Sequence, residues 1–109
     1  MKRIKDDISK GEFRAIYVLH GQEAYLQKQY RDNLIAAVLD DGDAMNFLHV
    51  QGKDYSIPAL IDFAETMPFF AERRVIVMEN TSILKSGGEQ LAEYLENPCE
   101  TTVWILVET

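Results

Sequence analysis

The chain has 109 residues and a mass of 12.5 kDa, is 47% apolar and 27% charged, and is therefore sized to bury about two-thirds of its unfolded surface in one domain. That excludes a multidomain machine and a disordered segment. Eighteen acids against eleven bases leave a net charge of -7, so phosphate backbones and anionic membranes are repelled on average and a protein partner is favoured.

Ile4 and Ile8 follow Met1 at helical spacing, and Gly11 supplies the left-handed residue that ends such a helix. Residues 14–20 (RAIYVLH) are apolar without alternation, the pattern of a strand covered on both faces, and are placed as a central parallel strand. After Gly21, Leu26, Tyr30, Leu34, Ala37 and Val38 lay one apolar stripe along a helix over residues 22–39, the longest of the chain. Asp40-Asp41-Gly42-Asp43 closes it. The mixed pattern of residues 45–50 suits a strand nearer a sheet edge, and Gly52-Lys53-Asp54 turns the chain again.

Ser56 can cap a helix whose apolar face is Ile57, Leu60, Ile61 and Ala64, with Pro58 in the first turn, where no amide donor is needed. Pro68 stops or bends it. Residues 74–78 (RVIVM) read as a third strand. Ser86 and Glu89 have the spacing of a capping box, Leu91, Tyr94 and Leu95 form a short helical stripe, and Asn97-Pro98 ends it before a last strand over residues 102–107. This alternation predicts an α/β fold, a three-layer parallel sheet with helices on both faces. The chain stops directly after a buried-type strand, so a fragment truncated before its last strand is expected.

The single cysteine, Cys99, has no second thiol for a disulfide, redox pair or zinc site and no adjacent base to activate it. No apolar run approaches the roughly twenty residues of a membrane span, and the start, Met1-Lys2-Arg3-Ile4-Lys5-Asp6-Asp7, lacks a secretory pattern. A cytoplasmic protein is expected.

In open α/β sheets ligands sit beyond the carboxyl ends of the strands. At the first such tip, Leu19-His20-Gly21-Gln22-Glu23, a phosphate-cradling loop would need more glycines and a lysine, so Gly21 reads as a tight turn. His20 and Glu23 could form an acid/base pair, but no nucleophile or metal joins them. His49 falls inside the second strand, where a structural role is expected. Glu79 ends the third strand, where many ATPases keep a magnesium-binding acid, yet no phosphate loop faces it. No catalytic residue, cofactor or metal is assigned. A receiver-type signalling module would need a phospho-accepting aspartate at a strand tip, and none is offered.

The unusual segment is residues 65–74 (ETMPFFAERR). Adjacent Phe69 and Phe70 differ by about 100° around a helix axis and cannot both face inward easily. Two readings stay open: the rings plug the bottom of the core, or they project as an apolar wedge in which each ring contributes roughly 1.5–3 kcal/mol in a partner's pocket.

Residues 16–26 (IYVLHGQEAYL), 66–77 (TMPFFAERRVIV) and 91–106 (LAEYLENPCETTVWIL) resemble the amino-terminal domain of the delta subunit of bacterial DNA polymerase III. The Gly-x-Glu-x-x-Leu turn (Gly21, Glu23, Leu26) and the Pro-Phe-Phe-x-x-Arg-Arg block (Pro68 to Arg74) carry the likeness. The resemblance implies a degenerate P-loop NTPase, AAA+ like fold that has lost ATPase capacity, and a clamp-loader subunit within the DNA-directed DNA polymerase (nucleotidyltransferase) holoenzyme. It implies that Phe69 and Phe70 enter a hydrophobic pocket of the β sliding clamp, with Met67 and Pro68 flanking them; some relatives carry Leu-Phe instead. The expected partners are the β sliding clamp, the gamma/tau and delta prime subunits in the full-length protein, and primed DNA through the assembled complex, with no membrane. The whole chain, 1–109, then corresponds to the amino-terminal domain without its remaining helix, fifth strand and collar. The strand over residues 15–19 becomes an uncovered edge, and self-association through it is expected. An active P-loop-like nucleotide enzyme is the alternative.

Overall fold

A computed structural model describes residues 2–20, 24–39, 46–52, 55–68, 73–81 and 88–108. The elements run α1 (Lys2–Lys10), β1 (Ile16–His20), α2 (Ala24–Val38), β2 (Phe47–Gln51), α3 (Ile57–Glu65), β3 (Arg74–Glu79), α4 (Glu89–Tyr94) and β4 (Thr102–Glu108). All four strands are parallel in one sheet, in the order β1-β4-β3-β2. The alternation of apolar segments therefore leads to the expected α/β architecture.

Strand register explains the two cores. Ile16, Trp104, Ile76 and Leu48 form one row across the sheet, and the next row is Tyr17, Ile105, Val77 and His49. Successive side chains point to opposite faces. One face buries Tyr17, Leu19, Val75, Val77, Val103, Ile105 and Val107 beneath Leu34 and Leu39, with Ile8 of α1 against them. The other packs Ile76, Met78, Trp104 and Leu106 against Ile57, Leu60 and Ala64 of α3 and Leu91 of α4. β3 and β4 are thus covered on both faces, which is why they read as continuous apolar runs.

Two expectations are corrected. β1 is an edge strand of the described sheet, not a central one. Its apolar run has a different origin: Tyr17 and Leu19 are buried under α2, whereas Val18 on the opposite face is 43% exposed. The second strand does lie at an edge, as its mixed pattern suggested. Glu89 is the first helical residue of α4, capped at Gly88, rather than the third that the expected capping box needs, and Ser86 lies outside the described residues.

The other end signals act as their chemistry requires. The Ser56 hydroxyl accepts the Ala59 amide at 3.4 Å, and Pro58 sits in the first turn of α3. The helix stops at Glu65 and Thr66 is already extended, two residues before Pro68, which restricts Met67 in turn. Gly11 and Gly52 have φ of 70° and 76°, the left-handed values their turns need. The Asp40–Asp43 turn lies outside the described residues.

Candidate functional site

Because the strands are parallel, the α3–β3 and α4–β4 connections meet at the amino ends of the strands, and the β1–α2 connection lies at the carboxyl ends. The segment singled out in the sequence leaves α3 at the amino-end edge. Met67 there is 83% exposed, while Pro68 is half-buried. Phe69 and Phe70 lie outside the described residues.

The segment is rooted on both sides. On the α3 side, the Thr102 hydroxyl donates to the Ala64 carbonyl at 2.8 Å, clipping the last turn of α3 to the start of β4. The Tyr94 hydroxyl donates to Glu65 Oε2 at 2.6 Å and accepts the Cys99 amide at 3.1 Å, joining α3 to α4 and to the loop beyond it. On the β3 side, the Arg74 amide donates to the Thr101 carbonyl at 2.7 Å. The buried Arg74 guanidinium stacks over the Phe63 ring at 4.3 Å, and that of Arg73 lies 5.2 Å from the Phe13 ring, contacts of the cation–π type. Arg74 also stands near the carboxyl end of α3, where a cation is favoured. Ala64 and Glu65 on one side of the segment and Arg74 on the other are therefore tied to neighbouring elements.

The carboxyl ends are arranged differently. Gly21 and Glu23 lie outside the described residues, and His20 closes β1. Glu79 closes β3, and its carboxylate is engaged from two sides. Arg31 of α2 donates to Glu79 Oε1, and His49 Nε2 lies 2.8 Å from the same oxygen. Arg31 also donates through Nε to Asp32 Oδ1 at 3.0 Å. Burial pulls the Arg31 pKa down, but the Asp32 hydrogen bond and the Glu79 charge outweigh it and leave the guanidinium above its ordinary value. One turn earlier on α2, Gln27 is only 2% exposed and its Nε2 donates to the Glu108 and Leu19 carbonyls, at 2.7 and 3.4 Å. A cavity of about 280 Å³ lies between α2 and the ends of β2 and β3, lined by Arg31, Ile35, Phe47, His49, Val77 and Glu79.

Of the residues weighed for chemistry, His49 and Glu79 are brought together, whereas the His20 side chain and Glu23 lie outside the described residues. His49 is tied to Glu79, and Cys99 Sγ lies 3.2 Å from Thr101 Oγ1. Among the described residues, no group of three His, Cys, Asp or Glu is assembled as metal ligands, and no helix is long and apolar enough to cross a membrane. Arg31 and Gln27 escaped notice in the sequence, and Tyr94 reads there only as part of an apolar stripe, not for its hydroxyl. The available signal for the first two was their spacing, four positions apart on one helical face.

A family model described as DNA polymerase III, delta subunit, matches residues 17–109. The chain is similar to DNA polymerase III subunit delta of Bacillus subtilis (strain 168), at 26% identity over 110 residues, covering 92% of this chain and 32% of that protein. Its fold matches the solved Bacillus subtilis DNA clamp loader delta protein with a TM-score of 0.87 and 25% identity, over 98% of this chain and 34% of that one. The chain spans about a third of the length of these relatives. Since the matched stretch takes in all four strands and the rooted α3–β3 segment, the chain belongs to the DNA polymerase III delta subunit family.

Proposed function

We propose that this domain is the clamp-binding arm of a clamp loader: residues 67–70 enter a hydrophobic pocket on the β sliding clamp and, within the longer protein, help to hold one clamp interface open for loading onto primed DNA. The gamma/tau and delta prime subunits would be its neighbours in the loader. The observation that carries this reading is Met67, 83% exposed at the exit of α3, on a segment whose two ends are clipped to the sheet. An apolar side chain exposed beside a helix end that is tied to the sheet offers area for a partner to bury without displacing α3.

The mechanism requires no covalent step. A protein shifts a ring between closed and open forms only by binding the open form better. Phe69 and Phe70 would supply anchorage, and the adjoining surface of α3 would hold the clamp interface in a geometry that closure cannot satisfy. The alternative of nucleotide chemistry has no observation in its favour, since Glu79, the acid best placed for magnesium, is already engaged by Arg31 and His49.

The test is calorimetric titration of the chain into a β clamp. Two buried rings are worth roughly 3–6 kcal/mol, and tenfold in affinity is about 1.4 kcal/mol. Phe69→Ala combined with Phe70→Ala is therefore expected to weaken binding more than tenfold while leaving the circular dichroism spectrum unchanged. Unaltered affinity would reject the reading.

A further inference from the structure

We infer that the carboxyl end of the sheet is latched from inside by α2. Gln27 and Arg31 lie one turn apart on one face of that helix. They place an amide and a guanidinium at the carboxyl end of the sheet, where open α/β folds bind ligands, and Arg31 also lines the cavity beside β2 and β3. Gln27 bridges the tips of β1 and β4 through the Leu19 and Glu108 carbonyls. Arg31 reaches past them to the carboxylate of Glu79 at the tip of β3, on which His49 of β2 also converges. One helix therefore holds the carboxyl ends of β1, β4 and β3 through its own side chains and reaches the middle of β2 through Glu79 and His49.

The charges explain why the latch is closed. A carboxylate at the end of a half-buried strand needs a cation, and Arg31 is the cation that reaches Glu79 here. Arg31 is also oriented by Asp32 at 3.0 Å, so its fork is held before it meets Glu79 and its charge is not left in excess. Glu79 is itself braced by its backbone: its carbonyl accepts the Gly52 amide at 3.1 Å, and the next amide, that of Asn80, donates to the Val107 carbonyl at 2.8 Å. Asn80 takes the left-handed φ of 52°, which turns the chain away from the sheet directly after the latch.

The consequence is mechanical. β3 is the strand that begins at the rooted 66–73 segment and ends at Glu79, so the latch ties to α2 the far end of the element that bears that root. Opening of the carboxyl end of β3 therefore has to break a contact to α2 as well as the ladders to β2 and β4. This property belongs to the fold and holds whatever the exposed segment binds.

Hydrogen–deuterium exchange of the chain tests it. Arg31→Ala is expected to speed exchange at least tenfold at the α2 amides and at the Asn80 amide, with α3 and α4 unchanged, and Arg31→Lys is expected to restore most of the protection. Should Arg31→Ala fail to fold, Glu79→Gln keeps the volume of the side chain and is expected to give the same pattern more weakly. Protection unchanged in these variants, or lost equally on both faces of the sheet, overturns the latch.

Discussion

At the scale of single residues, two tyrosines report on how the ends of the sheet are tied. Burial, offset in part by the Arg14 amide and reinforced by Asp7 at 2.7 Å, pushes the Tyr17 hydroxyl up to about 12 from 10.0. Burial and the Glu65 carboxylate do the same to Tyr94, also to about 12. Between pH 10 and 12 the unfolded chain sheds these protons while the native state keeps them. The unfolded state then binds fewer protons, and stability falls as pH rises. The contribution is complete below pH 10 and lost once pH passes about 12. Thermal melting is expected to be steeply pH-dependent across that window, and Tyr17→Phe with Tyr94→Phe should flatten the slope; an equally steep profile in the double variant contradicts the assignment. The Pro68-Phe69-Phe70 block drew notice in the sequence because adjacent aromatic rings after a helix conflict with its periodicity, and of it only Pro68 is among the described residues. The Arg31–Glu79 pair did not, because the partners are separated by 48 positions and only the crossover topology brings them together.

At the scale of elements, helix ends were legible where one residue carries the signal, a capping hydroxyl at Ser56 or a left-handed glycine at Gly11, and not where a spacing alone stood for it. Ser56 caps α3 through its hydroxyl; Ser56→Ala is expected to cost about 1 kcal/mol in urea denaturation. At α4 the same kind of pattern misleads, because Ser-x-x-Glu states only a spacing and the chain enters the helix two residues later, at Gly88. Strand position was similarly half-legible. β3 and β4 are apolar because helices cover both faces, but β1 has the same composition with one face only partly covered, and composition does not distinguish the two cases. The clip between α3 and β4 also depends on tertiary geometry alone. Thr102→Val keeps the shape of the side chain and removes its bond to the buried Ala64 carbonyl. A loss of roughly 1–3 kcal/mol is expected, and a stability unchanged within about 0.5 kcal/mol, the usual range for surface substitutions without effect, would show that α3 is held by its apolar face instead.

At the scale of the whole molecule, the sheet has two edges with different protection. β2 is tied to Glu79 through its middle residue, His49, and lies beside the cavity under α2. β1 has no strand on its outer side among the described residues. The Trp104 amide donates to the Ala15 carbonyl at 2.8 Å, so by alternation the backbone groups of Tyr17 and Leu19 also face β4, and those of Ile16 and Val18 face outward. Val18 thus combines an outward-facing amide with an apolar side chain that is 43% exposed, the combination that invites another strand to pair. Net charge opposes this, since two copies each carrying -7 repel, but that repulsion is screened beyond about 8 Å at physiological salt, whereas paired strands lie under 5 Å apart. The chain is therefore expected to associate with itself as concentration rises, more so as salt is added. Val18→Lys places a cation on the edge without touching either buried core and should keep the chain monomeric. Light scattering that finds the unsubstituted chain monomeric at millimolar concentration and high salt would show that the edge is shielded by its own twist or by the neighbouring segments, and that the exposed Val18 is inert.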